Sequence, residues 1–448
     1  MRYRIIWVQE PEQPTGVSFA VNEETRALTD KFASDLAPIG LHVMRARASR
    51  MLAWSVGFWI FCGGFVLIEP SPYELAFLAV LVLAVLANID LYRSSTGLLA
   101  IIVGFVPFAL IAVFQVGNST LVNAMVFSAV TVFLLLTSYF LANYVAEATD
   151  RRMRLIMQAY TIAALCCAII GTLAYLGLIP GAELFTLYGR AKATFKDPNV
   201  FGPFLVLPAM FALQRVLLGT RREQVLGALV YAVLTVGVFL SFSRGAWGHL
   251  LASSLIVLIL CFCLEARIQE KLQIILMTVI GAIAMVVGIL GLLSIPEVAE
   301  LFAVRAQGQS YDMGETGRFG RQGYAFGLAL ENPFGLGPFE FRTLKIMEEP
   351  HNVYVSVLLN YGWGGGGLYF LLVALTLWRG VKGLLRASPY RLMMIPLVAT
   401  FSVLVLLSAI IDTDHWRHWF LLVGLIWGVS AAIQMDPRRT APRAQMLL

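Results

Sequence analysis

Apolar residues gather into twelve stretches that recur along nearly the whole chain. Most of them approach the roughly 17 to 25 residues that a helix needs to cross about 30 Å of hydrocarbon. They lie near 52–69, 73–91, 97–115, 120–145, 155–179, 199–218, 224–242, 245–264, 272–295, 352–378, 392–411 and 417–435. A membrane β-barrel would instead show alternating segments of about ten residues. The pattern therefore predicts an all-α, polytopic integral membrane protein with about 12 transmembrane helices.

Composition agrees with this prediction and narrows the class of protein. Charged residues make up 13% of the 448 positions and apolar residues 59%, whereas soluble domains average about 25% charged and 45–50% apolar. The five cysteines fall inside predicted spans without a CxxC pair, which is typical of apolar filler rather than of a redox or metal site. The net charge of +6 is better explained by its distribution than by nucleic acid, so we expect a membrane and no nucleic acid among the partners.

The distribution of basic residues predicts the orientation of the chain. Lysine and arginine concentrate on the cytoplasmic side of membrane proteins, and placing both termini there assigns 23 of the 33 basic residues to that side. We also expect no signal peptide, because no cleavage site follows a short apolar core. In an inner membrane, the predicted regions are a cytoplasmic and possibly amphipathic leader (1–51), nine helices (52–295), a large periplasmic loop (296–350), three helices (351–435) and a cytoplasmic tail (436–448).

Ten basic residues remain on the outer face, where topology gives no reason for them. They are Arg190, Lys192, Lys196, Arg244, Arg305, Arg318, Arg321, Arg342, Lys345 and Arg417. Such a cluster favours a site that holds an anion, and the alternative is that these side chains are solvated or contact lipid headgroups. The longest outer segment, 296–350, exceeds ordinary connections and includes a predicted amphipathic helix from position 317. We therefore expect a binding or catalytic element there.

The first outward-facing motif is GRAKATFKDPNVFG at 189–202. Its Asp197, Pro198 and Asn199 form a turn and helix-start signal for the sixth span. The basic trio of Arg190, Lys192 and Lys196 would then lie beside the positive end of that helix, together with Asn199. We predict a substrate-binding role for these four residues, with a plain capped loop as the alternative.

The second motif is SFSRGAWGH at 241–249, which places Arg244 at a tight joint between two spans. An arginine near hydrocarbon costs roughly 2.5–3.5 kcal/mol on insertion scales, so such a residue is a functional candidate. His249 lies one turn further along, inside the next span. We interpret it as a hydrogen-bonded packing residue.

The third motif is the pair Arg318 and Arg321 in the long outer loop. Their i, i+3 spacing puts both guanidinium groups on one helix face. Planar guanidinium forks bind phosphate oxygens in a bidentate manner that lysine does not match. The alternative is a surface salt bridge with Glu315.

The last two motifs are PHNVYVSVLLNYGWGGGG at 350–367 and IDTDHWRHWF at 411–420. A histidine near neutral pKa can accept a proton from a sugar hydroxyl, and a neighbouring carboxylate can orient its ring. A metal site is a weaker interpretation of the HxxH spacing, and we expect no metal and no cofactor. The candidate residues in these motifs are His351, Asn352, Tyr354, Asp412, Asp414, His415, Arg417 and His418.

Taken in order, these motifs resemble the superfamily of O-antigen ligases and polysaccharide polymerases. The resemblance rests on DPNVFG, SRG, the arginine fifteen residues before the proline of ENPFGLG, and HNVY at the start of a span, with the long loop between spans nine and ten. It covers about 180–375, and the first four spans match only in hydrophobicity. The DTDHWRHW string is more similar to exopolysaccharide-type members than to ligases, which leaves the acceptor open.

The resemblance implies a C-type glycosyltransferase fold that takes a glycan from an undecaprenyl pyrophosphate-linked donor without metal or nucleotide sugar. It assigns the pyrophosphate to Arg244 and Arg318 and the role of base to His351. We further expect Arg190 or Arg321 to help to stabilise the pyrophosphate. We expect Asp412 or His415 either to orient His351 or to serve as an alternative base. The partners are then a lipid-linked oligosaccharide donor and a glycan or lipid A core acceptor.

Direct in-line attack predicts inversion at the anomeric carbon. The alternative function is a polytopic transporter or flippase for a lipid-linked or anionic substrate. A transporter should place ionisable residues near the middle of the membrane. Here the spans are almost free of charge and the polar groups collect at one face, which favours chemistry on one side.

Overall fold

The computed structural model describes residues 44–307, 314, 317–344 and 348–435, and these residues are mostly helical. The predicted tail and most of the leader lie outside this part of the chain, as do Glu315 and Lys345. The helices are α1 (44–62), α2 (Pro72–Ala87), α3 (Thr96–Gln115), α4 (Leu121–Glu147), α5 (Thr149–Tyr175), α6 (Pro198–Phe204), α7 (Val206–Leu218), α8 (Arg221–Leu240), α9 (Arg244–Leu260), α10 (Ile268–Leu293), α11 (Pro296–Ala306), α12 (Arg318–Glu331), α13 (Val353–Leu384), α14 (Arg391–Leu407) and α15 (Arg417–Met435). In the described residues, three 3₁₀ turns (Arg93–Ser95, Ala182–Phe185 and Phe341–Thr343) and a π-turn (Cys261–Glu265) connect helices. The strands of the described residues are β1 (Thr186–Leu187) and β2 (Arg190–Ala191), which pair antiparallel.

Each of the twelve predicted apolar stretches coincides with a helix or a helix pair. Nine helical segments of the described chain are long and apolar enough to cross a membrane, and α2 and α14 are shorter apolar helices. The sixth stretch is divided at Leu205 into α6 and α7, and Pro203 lies in the last turn of α6. The prediction of an all-α polytopic membrane protein is confirmed.

Helix α15 lies at the centre of the bundle and packs most extensively against α4. Of its apolar window, 89% is buried, compared with 6% for α10, which lies at the edge. Two glycines let α4 and α15 approach closely. A Cβ on Gly424 would lie 2.8 Å from the Ser138 carbonyl oxygen, and one on Gly428 would lie 2.9 Å from that of Ala142. Small residues at helix crossings are the usual means of close packing in membranes.

Candidate functional site

The DPN string of the first motif starts a helix, as its residues predict. Asp197 accepts a hydrogen bond from the Asn199 backbone N–H at 2.6 Å, and Pro198 takes the first helical position of α6. The preceding residues form the short β1–β2 hairpin. The segment 190–199 therefore has a defined structure, a hairpin followed by a capped helix start, that places its side chains against neighbouring elements.

Arg190 joins the first motif to the second. Its Nε donates to the Ser241 carbonyl at 2.8 Å, and a terminal nitrogen donates to the Asn199 side-chain oxygen at 2.8 Å. Burial, and next the nearby Arg305, lower the pKa of Arg190 to about 10. The side chain therefore stays charged at neutral pH, in a place where two cations are close together.

The two lysines of the first motif have different surroundings. Lys196 is exposed and forms a 2.8 Å ion pair with Glu69, a contact that stabilises little in water. Lys192 is half-buried, and its backbone N–H donates to the Phe185 carbonyl at 2.9 Å. Neither lysine is drawn into the contacts of Arg190.

Arg244 is the first residue of α9 and is exposed. Only residues 241–243 separate it from the end of α8, so the predicted tight joint is confirmed. Ser243 caps α9 by accepting a hydrogen bond from the Ala246 N–H at 3.4 Å. His249 is buried, with its Nε2 3.1 Å from the Thr400 carbonyl oxygen, which confirms its interpretation as a packing residue.

The amphipathic helix predicted from position 317 is α12, which begins at Arg318. Arg321 is buried and forms an ion pair with Glu348. The next residue, Gln322, donates from Nε2 to the His351 carbonyl oxygen at 3.1 Å. Residues four apart share a helix face, so Arg318 lies on the same face of α12 as the residue that touches His351.

His351 stands just before α13 and faces a carboxylate. Its Nδ1 lies 2.6 Å from Oδ2 of Asp412, and the two side chains are 28% and 31% exposed. The backbone of His351 has a φ of 54°, a left-handed conformation that non-glycine residues adopt rarely and that is found at functional sites. The strings 350–367 and 411–420 therefore meet at this pair.

Asn352 and Tyr354 make contacts within the bundle. The side-chain oxygen of Asn352 caps α13 by accepting from the Tyr354 N–H at 3.1 Å. The Tyr354 hydroxyl donates to the Val405 carbonyl on α14 at 2.6 Å. These contacts fix the start of α13, and His351 lies directly before its capping residue.

The remaining polar residues of 411–420 point to different partners. Nε2 of His415 lies 2.8 Å from the Thr131 hydroxyl, and that hydroxyl is 2.7 Å from the Tyr361 hydroxyl. Arg417 donates twice to one oxygen of Glu74, at 2.8 and 2.6 Å.

His418 is buried against the Trp416 ring, with 5.1 Å between the ring centroids. His418 is therefore enclosed in the bundle whereas Arg417 is paired with Glu74 of α2, and within the described residues neither side chain forms a hydrogen bond or ion pair with His351 or Asp412.

A further carboxylate, which sequence reasoning missed, completes the surroundings of His351. Burial raises the pKa of Glu349, and Asp412 and Asp414 raise it further against the lowering effect of Arg342, whose Nε is 2.6 Å from Glu349. Burial also raises the pKa of Asp414. We call Glu349, His351, Asp412 and Asp414 the carboxylate–histidine group. The position of Glu349 directly before the PHN string was the available signal.

The long loop is fastened to a break in α13. Gly362 has a φ of 69° inside this helix, and a Cβ there would lie 2.4 Å from the Pro333 carbonyl oxygen. The Trp363 N–H donates to that oxygen at 2.9 Å, and the Leu336 N–H donates to the Leu359 carbonyl at 2.7 Å. The ENPFGLG segment thus replaces helical hydrogen bonds of α13 with its own, and it ties the loop to the helix that His351 precedes.

Comparison with known protein families gives one finding. Residues 228–370 match the family model described as O-antigen ligase. No curated protein matches the chain. The matched segment is about a third of the chain and includes Arg244, Arg318, Arg321 and His351.

The match confirms the resemblance to the superfamily of O-antigen ligases and polymerases, and it supports a membrane enzyme that acts in glycan transfer. The segments that contain Arg190 and Asp412 lie outside the matched residues. Their place beside the matched ones is a finding of the structure alone.

Proposed function

We propose that the protein transfers a glycan from an undecaprenyl pyrophosphate-linked donor to an acceptor hydroxyl at the periplasmic face of the inner membrane. The observation that carries this proposal is the His351–Asp412 pair. The pair lies at the start of a span, α12 contacts the His351 carbonyl through Gln322, and His351 belongs to the segment that matches the O-antigen ligase family.

His351 acts as the general base. Asp412 accepts the Nδ1 proton of the ring at 2.6 Å, and this contact leaves Nε2 with the lone pair that can take a proton. The acceptor oxygen forms a bond to the anomeric carbon while its proton passes to Nε2. The bond from that carbon to the pyrophosphate oxygen breaks, and attack opposite the leaving group inverts the anomeric centre.

Arg244 and Arg318 stabilise the charge that grows on the departing lipid pyrophosphate. Removing one such electrostatic contact costs about 2.7–4 kcal/mol, or roughly 100- to 1000-fold in rate. In the proposal, one guanidinium comes from the start of α9 and the other from the start of α12. These cations take the place of a divalent metal in the proposal.

The main role of Arg190 and Arg321 is to position the segments that carry Arg244 and His351, rather than to bind the donor. Arg190 fixes the carbonyl of Ser241 three residues before Arg244, and Arg321 pairs with Glu348 in the segment that leads to His351. The closeness of Arg190 and Arg305 adds positive potential on the same side of the α8–α9 joint.

The test is the identity of the lipid-linked glycans that accumulate when the protein is deleted. Single repeat units indicate a polymerase, and long chains without transfer to their acceptor indicate a ligase. Normal levels of all lipid-linked intermediates would exclude both.

Purified protein should also transfer glycan in excess chelator, and activity that returns only with magnesium or manganese would contradict the metal-independent mechanism.

A further inference from the structure

Two adjoining cavities open at the end of the bundle opposite the carboxylate–histidine group. Their volumes are about 450 and 530 Å³, and both are lined by Glu147, Arg151 and Arg154. Helix α4 gives their distance from the candidate site, because its Thr131 meets His415 whereas Glu147 is its last residue. At 1.5 Å per residue the two positions are about 24 Å apart along the helix axis. The cavities therefore belong to the other face of the membrane.

The larger cavity is basic. Arg50 at the start of α1 and Arg151 and Arg154 on α5 line it, and all three side chains are exposed. Within the described chain, no acidic residue forms a salt bridge with any of them. The i, i+3 spacing of Arg151 and Arg154 sets both guanidinium groups on one face of α5.

A fourth arginine fixes the wall of this cavity. Arg152 donates to the Tyr144 carbonyl at 2.6 Å and to Glu147 at 2.8 Å, and its guanidinium lies 4.1 Å from the centre of the Tyr144 ring. These contacts connect the end of α4 to the start of α5. Arg152 is thus part of the structure, and the other three arginines face the open space.

We infer that this cavity binds the phosphate group of an anionic phospholipid headgroup. Guanidinium forks bind phosphate oxygens in a bidentate manner, and basic pockets between transmembrane helices bind anionic lipid heads. Trp54 also lines the cavity with 77% of its surface exposed, as expected for an aromatic residue at the level of the headgroups. Leu155 and Ala53 continue the wall toward the apolar part of the bundle.

The inference does not depend on the proposed glycan transfer. In the proposed orientation the cavity faces the cytoplasmic leaflet, where anionic lipids attract basic residues next to the membrane. A free phosphate would use the same guanidinium groups, so the experiment has to separate the two sources.

The test measures binding of phosphatidylglycerol to the purified full-length protein by native mass spectrometry and by the lipid-dependent rise of its thermal unfolding midpoint. The variant is the double substitution Arg151→Gln with Arg154→Gln. The matched control is Arg221→Gln with Arg222→Gln, an exposed pair at the start of α8 that lines neither cavity. We expect the first variant to lose lipid affinity by roughly 10- to 30-fold, the effect of two basic contacts near a membrane surface, and the control to lose less than about threefold.

Three results would overturn the inference. Equal losses in both variants would mean diffuse surface charge, and equal affinity for phosphatidylcholine would mean that no anion is recognised. Displacement of the lipid by millimolar inorganic phosphate would assign the cavity to a soluble phosphate. Unchanged unfolding midpoints of both variants without added lipid show that the substitutions leave the fold intact, and Arg151→Lys with Arg154→Lys provides a second, charge-conserving variant.

Discussion

Two histidines at the same end of the bundle have opposite surroundings. His351 is about a quarter exposed and faces Asp412. His415 instead contacts the Thr131 hydroxyl and the edge of the Phe127 ring, whose centroid is 4.2 Å from its own. Burial lowers the pKa of His415, so this histidine is neutral at pH 7. The comparison teaches that partners, rather than motif letters, separate a histidine that can meet a substrate from one that fastens helices together.

The largest expected effect tests this contrast between His351 and His415 directly. His351→Ala should reduce turnover by roughly 100- to 10,000-fold, the usual scale for general base catalysis. Donor binding should survive, because in the proposed mechanism Arg244 and Arg318 hold the pyrophosphate without the imidazole. Single-turnover transfer with purified protein, together with donor binding, measures both quantities.

His415→Ala is the control for that variant. It removes a contact between the 411–420 segment and α4, so we expect a lower unfolding midpoint and a much smaller loss of turnover. A larger loss of turnover at position 415 than at position 351 would move the base to the 411–420 segment.

The next effect concerns Arg318, which lies on the same face of α12 as Gln322, the residue that contacts His351. Arg318→Lys keeps the charge but loses the bidentate fork, so we expect a loss of roughly 100- to 1000-fold in rate. Arg342→Lys is the matched substitution in the same loop, since Arg342 is half exposed and pairs with Glu349. It should retain most activity. Equal tolerance at both positions would reduce Arg318 to a solvated loop charge.

A smaller effect separates the two carboxylates of the final turn. Asp412→Asn removes the carboxylate charge that faces His351, and we expect a loss of about 10- to 100-fold, the scale for carboxylates that orient metal-bound histidines. Asp414→Asn should cost less, since Asp414 has its pKa raised by burial and His351 contacts Asp412. Rates for both variants across pH test this order, and an equal loss would mean that the two carboxylates act as one charged unit.

Much of the fold could be predicted because its signals are local. Apolar length located all twelve helical stretches, the DPN string marked the start of α6, and the spacing of Arg318 and Arg321 placed them on one helix. The break at Gly362 could not be predicted, because it depends on a loop 25 or more residues earlier in the chain that occupies the space beside the helix. A run of glycines in a membrane helix is equally compatible with close helix packing.

The candidate site could be predicted in part for the same reason. Sequence reasoning offered Asp412 and His415 as alternatives for orienting His351, and only tertiary packing separates them. Glu349 and Gln322 were missed, because a single glutamine on a predicted helix has no spacing signal and the only signal for Glu349 was its position directly before the PHN string. The contact of Arg190 with Ser241 was equally inaccessible, since it joins residues about 50 positions apart.

The smallest expected effect tests a group that fastens the long loop rather than one that meets substrate. Glu340 is buried and accepts hydrogen bonds from the backbone N–H groups of Gly117, Asn118 and Ser119 at 3.0, 2.9 and 2.6 Å. Burial alone would raise the pKa of Glu340, but these hydrogen bonds outweigh it, so its pKa lies below the ordinary value of 4.5. A carboxylate with a lowered pKa in the folded state stabilises the protein above its unfolded pKa. That stabilisation is lost as the pH falls through the folded pKa.

Glu340→Gln should therefore lower the free energy of unfolding at pH 7 by about 1.5–3 kcal/mol, the scale for hydrogen bonds to a charged group. The difference from the unmodified protein should shrink as the pH falls below 4.5, because the carboxylate is then protonated. Glycan transfer at pH 7, measured at a temperature well below the unfolding midpoint, should change less than about threefold. The variants at positions 351 and 318 should lose far more. Glu331→Gln, at an exposed position at the end of α12, is the control and should leave stability unchanged. Thermal unfolding of both variants between pH 3.5 and pH 8 measures this, and a stability difference that is the same at every pH would mean that the charge of Glu340 does not hold the loop.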